Sequence, residues 1–501
     1  MKRPPLLILL LMFTACAQRP ERVLPSAVTL ALTHVNVVDV TRGRVIPEQT
    51  IIIAGSRVRA IGSSADITPP PGAQIIDGTN RYVIPGLWDM HVHIPGPRAF
   101  EGVTGAEFLS VYVAQAVTGV RDMGADCAAV SCSSWMRSPG DIERLRFEIS
   151  AGRLLGPRIV SPGPIVDGPV PVHQGSLIVT DAHSARAVVR AQVTRRAPFI
   201  KVYDRIPRDA YFALAEEARK LRITFAGHVP ASVSAAEASS AGQLSLEHLW
   251  MVLDGCSSAE SELLERRRAR VAAALRRDTT FQFSEDYQDL TGRTLASFDR
   301  DACRVLARRF RQNGTWLVPT NAGTWGDAMA GDSAFTGRAE FAVVPGWLQQ
   351  VLAPFASTDA QRPPKVTEQR RQWHRRKLEV VALMYREGVP LLAGTDNPGA
   401  YTYPGFSVHD ELALLVEAGL SPLEALRTAT VNPALYLNAA DSLGQISVGY
   451  IADLAVLDSN PLIDVRNTRR ITAVVLNGRY LDSAALVRIR SSGPQGAPHR
   501  P

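Results

Sequence analysis

The sequence predicts an α/β protein: a (β/α)8, TIM-like barrel with a composite β-sandwich domain drawn from both chain ends. Three observations predict it. From Val83 onward, short β-branched runs alternate with helical patterns, which implies a parallel sheet covered by helices. About eight such runs suit a closed barrel. At 501 residues the chain is also too long for one ordinary domain and suits a barrel plus a smaller domain.

Taken in order, residues 1–17 read as a signal peptide. Lys2 and Arg3 open it, Leu6 to Phe13 is apolar, and the small residues Thr14, Ala15 and Ala17 follow. The run is too short for a permanent membrane span. Two cleavage sites compete. Phe13-Thr14-Ala15-Cys16 resembles a bacterial lipobox, the preferred reading, which makes Cys16 the lipidation site, although Phe replaces the usual aliphatic residue. Ala15-Cys16-Ala17 fits the ordinary signal peptidase. In both cases an exported protein is expected, in the periplasm or as an outer-membrane lipoprotein, touching membrane only through that anchor.

Residues 23–82 then form the N-terminal part of the β-domain, with Val35 to Val40 and Thr50 to Ile53 as strands and Gly55 as a turn. The barrel spans 83–437. Its strands are placed at Tyr82–Ile84, Gly119–Met123, Ile159–Ser161, Phe199–Tyr203, Ile223–Gly227, Leu244–Leu249, Trp316–Thr320 and Leu391–Thr395. Helices are placed at Ala106–Thr118, Ser184–Arg195 and Arg208–Lys220. Met251–Thr315 and Thr324–Lys377 are long helical insertions of the kind that builds a lid or pocket. Residues 438–488 return to β texture and complete the β-domain. The Gly-, Pro- and Ser-rich tail, 489–501, is expected to be disordered.

With 46% hydrophobic and 21% charged residues, the composition is that of a globular protein with a large core. The net charge of +7 lies largely in arginine-rich helical stretches such as Glu265–Arg270 and Arg370–Lys377, which read as solvated faces. No aromatic-interleaved basic motif accompanies them, so nucleic acid is not an expected partner. Apart from Cys16, the cysteines are Cys127, Cys132, Cys256 and Cys303. In an oxidising compartment Cys127 and Cys132 could close a small loop, but connectivity is open, and their spacing is wrong for a zinc ribbon.

Four signals stand at the C-terminal ends of expected strands, where barrel enzymes keep their active sites. His91-Val92-His93 puts two imidazoles on one side of an extended segment. Alone that pair is weak, and a surface turn is the simpler reading. Lys201 lies between Ile200 and Val202 in an apolar strand, where an unpaired ammonium is costly to bury. Carboxylation by CO2 would convert it to an anion able to bridge two cations. His228 and His248 each end a strand; either alone would be read as a core histidine. Asp396, in Ala393-Gly394-Thr395-Asp396, could cap a helix, or ligate metal and accept a proton. Tyr203 shares a side with Lys201 and is a candidate substrate contact, a structural Tyr being the alternative.

Together these residues resemble the amidohydrolase superfamily, and within it the branch of imidazolonepropionase-like enzymes and metal-dependent Xaa-Pro or Xaa-Arg dipeptidases. Pro85 to His93 resembles the first-strand signature and Ala393 to Asp396 the last. Gly449 to Leu454 with Asn477-Gly478 resembles the C-terminal β-domain. The resemblance runs from about Thr29 to Leu481. It implies that His91, His93 and Asp396 bind the more buried of two divalent metals, zinc by ligand type, and that His228 and His248 bind the other. N6-carboxylated Lys201 would bridge them. It further implies a metal-activated hydroxide, with Asp396 passing the proton to the leaving amine. His173, in Pro171 to Gly175, would contact the substrate carbonyl, a polar loop His being the alternative.

The expected function is therefore hydrolysis of a carbon–nitrogen amide bond in a small molecule, a dipeptide or an N-acyl amino acid. The rivals are a hydrolase of cyclic amides, lactones or phosphotriesters, and an inactive binding lipoprotein of the same fold. All six expected metal and bridging residues are present, which argues against lost activity. Many members of the resembled family are oligomers, so a homo-oligomer is admitted, although no interface is legible.

Overall fold

Strands from the first and last parts of the described residues share one sheet. In the computed structural model of the chain, residues 29–101, 103–124, 126–129, 131–276 and 283–492 are described. The expected signal peptide and Cys16 lie outside them. Strands β1 (Thr29–Asp39), β2 (Arg44–Ala54), β3 (Arg57–Ser63), β4 (Gln74–Asp77) and β5 (Tyr82–Pro85) join β15 (Leu454–Leu457), β16 (Ile471–Leu476) and β17 (Arg479–Asp482). The order is β17-β16-β15-β5-β1-β2-β3, with β4 also on β1. Alternating Leu30, Leu32, Val35 and Val37 of β1 meet Ile51 and Ile53 of β2 and Leu454 and Val456 of β15 in a separate core.

The expected composite β-domain draws its eight strands from both parts of the chain, and they belong to one hydrogen-bonded sheet. Register shifts in β1 between Leu32 and Val37 mark irregularities where such a sheet can bend. Tyr82–Ile84, expected to lead the barrel into the histidines, instead pairs with β1 and β15. The first strand of the parallel unit is β6 (Leu87–Val92), beginning after Gly86.

The parallel unit follows. β6 pairs with β7 (Val117–Asp122), and β7 with β8 (Arg158–Val160). A second run holds β10 (Leu177–Ile178), β9 (Val166–Asp167), β11 (Ile200–Val202), β12 (Phe225–Gly227), β13 (Ser245–Glu247) and β14 (Trp316–Val318), in that order. Two segments join the runs. Residues 158–167 pair with β7 at their start and with β11 at their end. Residues 391–397 bond to both β14 and β6: Leu392 N donates to Leu317 O at 2.9 Å, and Met90 N to Ala393 O at 2.8 Å. The strand expected at Leu391–Thr395 is thus bridged on both sides rather than continuous.

Helices α1 (Gly105–Ala114), α2 (Asp141–Ser150), α3 (Ala182–Thr194) and α4 (Arg208–Leu221) connect these strands. Capping boxes start α1 at Thr104 with Glu107 and α3 at Asp181 with Ser184. The helix expected at Ala106–Thr118 ends earlier because Val117 and Thr118 already belong to β7. Both insertions are helical, the second ending in the long helix Pro364–Arg386. Cys127 pairs with Cys132, and Cys256 with Cys303, the latter tying the first insertion to itself. The last helix, Ser483–Ser491, runs into the stretch expected to be a disordered tail from 489; Leu486 anchors it in the main core. No helix among the described residues is long and apolar enough to cross a membrane.

Candidate metal centre

Strand ends of the parallel unit converge on one cluster of imidazoles around a carboxylate. His91 lies in β6 and His93 directly follows it, His228 follows β12, His248 follows β13, and Asp396 lies in the segment paired with β6. Asp396 Oδ1 stands 3.1 Å from His93 Nε2 and 3.4 Å from His91 Nε2, and its Oδ2 is 3.7 Å from His248 Nδ1. The ring of His248 lies 4.5 Å from that of His91 and 4.7 Å from that of His228. Asp396 (φ 61°) and His248 (φ 63°) both adopt the left-handed region, an uncommon backbone for residues with a side chain and one that recurs at functional sites.

The polarity of the rings is uniform. His91 Nδ1–H donates to Glu247 at 2.7 Å, His93 Nδ1–H to the Gly124 carbonyl at 3.2 Å, and His228 Nδ1–H to Asp204 at 2.7 Å. His248 Nδ1 meets the Thr320 hydroxyl at 3.0 Å. Each ring is anchored through Nδ1, the arrangement found around metal-binding histidines, and Nε2 of His91 and of His93 faces Asp396. Burial pushes His91, His228 and His248 well below the usual imidazole range, which favours the neutral form that ligates a metal. Asp396 is held well below the usual carboxylate range: burial opposes this, but His248 and the other imidazoles outweigh it.

The donor set fits a divalent cation. His91 Nε2 is buried without a hydrogen-bond partner among the described residues, and so is Lys201 Nζ. An imidazole nitrogen and an amine in that position are costly unless something binds them. Burial lowers the Lys201 ammonium to about 8, with Glu247 and Asp396 only partly offsetting it. The donors that converge within 4.8 Å of one another are those of His91, His248 and Asp396. The His248 ring thus stands between the His91 and His228 rings, at 4.5 and 4.7 Å.

His173 and Tyr203 adjoin the cluster. His173 Nε2 is 3.0 Å from the Tyr203 hydroxyl, and the Tyr203 ring stacks on His228 at 4.0 Å. Both line a cavity of about 240 Å³ together with His93 and Asp396.

Several supporting residues escaped the sequence reading. Glu247 accepts from His91 and is itself held by Arg121, at 2.9 and 3.0 Å, and by Ser245, at 2.6 Å. Arg121 also donates to Met90 O and to the Tyr436 hydroxyl, and all these groups are buried. Asp204 orients His228, and the Trp250 ring covers His248 at 5.1 Å. A signal existed: Arg121, Asp122 and Glu247 are charges inside apolar strands, the same anomaly that singled out Lys201.

The amidohydrolase family profile matches residues 82–481, and the chain belongs to that family. It is a hydrolase acting on carbon–nitrogen bonds. Over 478 aligned residues it is 24% identical to ochratoxinase of Aspergillus niger, covering 85% of this chain and 80% of that one. A shorter stretch of 108 residues is 34% identical to imidazolonepropionase of Vibrio vulnificus, covering 21% of this chain and 26% of the other. The solved structure of a putative prolidase from Bifidobacterium longum superposes with a TM-score of 0.64 at 21% identity, covering 93% of this chain and 98% of that one. At such identity the likeness shows the shared fold of this superfamily.

Proposed function

We propose that the protein is an exported, binuclear metallo-hydrolase that cleaves the amide of a dipeptide or an N-acyl amino acid. The observation that carries this reading is the anchoring of four imidazoles through Nδ1 around the Asp396 carboxylate, with His91 Nε2 and Lys201 Nζ buried and without a hydrogen-bond partner among the described residues. His91, His93, His228, His248, Asp396 and N6-carboxylated Lys201 would hold two divalent cations, with zinc favoured by the nitrogen and carboxylate donors. Such ions supply activated water and polarise a carbonyl oxygen. We also infer that the two parallel runs, joined through 158–167 and 391–397, are the wall of one closed (β/α)8 barrel, which puts every one of these residues at one rim.

The chain's own groups do the rest. Asp396 is ionised and lines the cavity, so it accepts the proton of the attacking water and returns it to the leaving nitrogen. His173 and Tyr203 share a hydrogen bond on the same cavity, and the N–H or O–H that this bond leaves free can hold the substrate carbonyl. Water attacks the amide carbon, the carbon–nitrogen bond breaks, and a carboxylate and an amine leave. The names of the relatives, ochratoxinase and a putative prolidase, accord with an amide in a small molecule. Export is read from residues 1–17, with Cys16 the lipid anchor if the lipobox is used.

The test is amine release from dipeptides and N-acyl amino acids by zinc-loaded protein, with metal content measured on the same sample. Turnover with two bound ions, abolished in Asp396→Asn while much of the metal stays, is the expected result. Full metal with no amide turned over would move the reaction to lactones, cyclic amides or phosphotriesters. Replacing Cys16 by Ser tests the anchor: the protein should leave the membrane fraction.

A further inference from the structure

The cavity beside His93 and Asp396 is lined by two chemically different sets of residues: His93, His173, Tyr203 and Asp396 are polar, and Ile94, Trp135, Met136, Ile165 and Pro398 supply an apolar lining. At about 240 Å³ it takes one side-chain-sized group, because drug-sized ligands need roughly 300–1,000 Å³.

The apolar wall is preformed. Met136 and Ile165 are each 2% exposed, and Trp135 packs edge-on against Phe100 at 5.3 Å. The loops behind the wall fit without slack: a Cβ on Gly175 would stand 2.6 Å from Met136 Sδ and 2.8 Å from Cys132 Sγ. Backbone bonds from Ala128 N to Gly175 O and from Ser133 N to Gln174 O hold the same two loops together. The wall is therefore tied to the loop that carries His173.

The charges nearby are already committed. No lysine or arginine is among the described residues that line the cavity. Arg137, the neighbour of Met136, is buried and held by Asp122, Asp126 and the Ile94 carbonyl. The Asp396 carboxylate faces His91, His93 and His248. A charged substrate side chain seated here would lose its hydration and meet no lysine, no arginine and no uncommitted carboxylate in the described lining.

We infer that the substrate presents an uncharged, apolar side chain, aliphatic or aromatic, to the Trp135–Met136–Ile165 wall, next to the scissile bond. This rests on the amide-hydrolase reading above and adds the substrate class. The test uses the full zinc-loaded protein and N-acyl amino acids and dipeptides in which the flanking residue is Gly, Leu, Phe, Asp or Lys. Leu or Phe substrates should exceed the Gly substrate about tenfold or more in kcat/KM, and Asp and Lys should fall below it. Trp135→Ala should narrow the Phe-over-Gly ratio about tenfold, through KM. Asp or Lys substrates turned over as well as Leu would overturn the inference, as would an unchanged ratio in Trp135→Ala. If no amide is cleaved, the amide reading fails separately. Calorimetry with N-acetyl-phenylalanine against N-acetyl-aspartate then tests the wall without turnover; equal or reversed affinities would overturn it.

Discussion

Glu247→Gln tests the support of His91 most directly. Glu247 is buried and its charge is matched by Arg121, which donates to both of its carboxylate oxygens at 2.9 and 3.0 Å. The change removes the anion, keeps the volume and strands a buried guanidinium. Breaking one partner of a buried pair costs about 3–5 kcal/mol, with the lower end expected here because Met90 O, Ser245 and Tyr436 still bind Arg121. The amide also accepts less strongly from His91 Nδ1–H, and such outer partners are worth roughly 10–100-fold in metal affinity. Urea unfolding of the metal-free protein reads the first effect, and competition with a chromogenic chelator reads the second. An unfolding loss under about 1 kcal/mol together with unchanged metal affinity would refute the argument. The double variant Arg121→Met, Glu247→Gln should recover part of the stability but none of the affinity.

Three further outcomes follow from the geometry. Lys201→Ala should bind less metal and lose activity together, measured by elemental analysis and amine release; retention of both would remove Lys201 from the centre. Glu237 is held at about 2, chiefly by the Arg208 hydrogen bond. Because its folded value is depressed, its stabilisation is full above about 4.5 and fades as pH falls towards 2; discounted for exposure of the pair, it is worth about 1 kcal/mol. Glu237→Gln should therefore be less stable at pH 7 and match the parent near pH 2, read by denaturant melts. Gly394→Ala should cost about 1–3 kcal/mol and weaken metal binding, since its Cβ would stand 2.6 Å from Val318 Cγ1 and 2.9 Å from the His91 backbone nitrogen; metal affinity and melts equal to the parent would show that β6 and β14 yield freely.

Much of this site was readable because its residues break local rules. A lysine between Ile200 and Val202, or histidines at strand ends, conflict with an apolar strand unless they have work to do. The anomaly was visible equally at Arg121 and Glu247, but their meaning depends on a contact 126 residues apart, which no periodicity encodes. Strand pairing shows the same division. Tyr82–Ile84 reads as a strand from its residues alone, yet whether it belongs to the barrel or to the β-domain is decided by β15, more than 360 residues later.

The sequence by itself determined the α/β class, the alternation of strands and helices, the family and the candidate metal donors, because these depend on local pattern and on side-chain chemistry. Tertiary structure alone decided that the end strands form one sheet and that Cys256 pairs with Cys303. It likewise decided that His248 stands between the His91 and His228 rings and that Trp135, Met136 and Ile165 line one cavity with Asp396. Those are relations between distant segments, and their geometry is set by how the strands pack around one core rather than by any residue's neighbours in the chain.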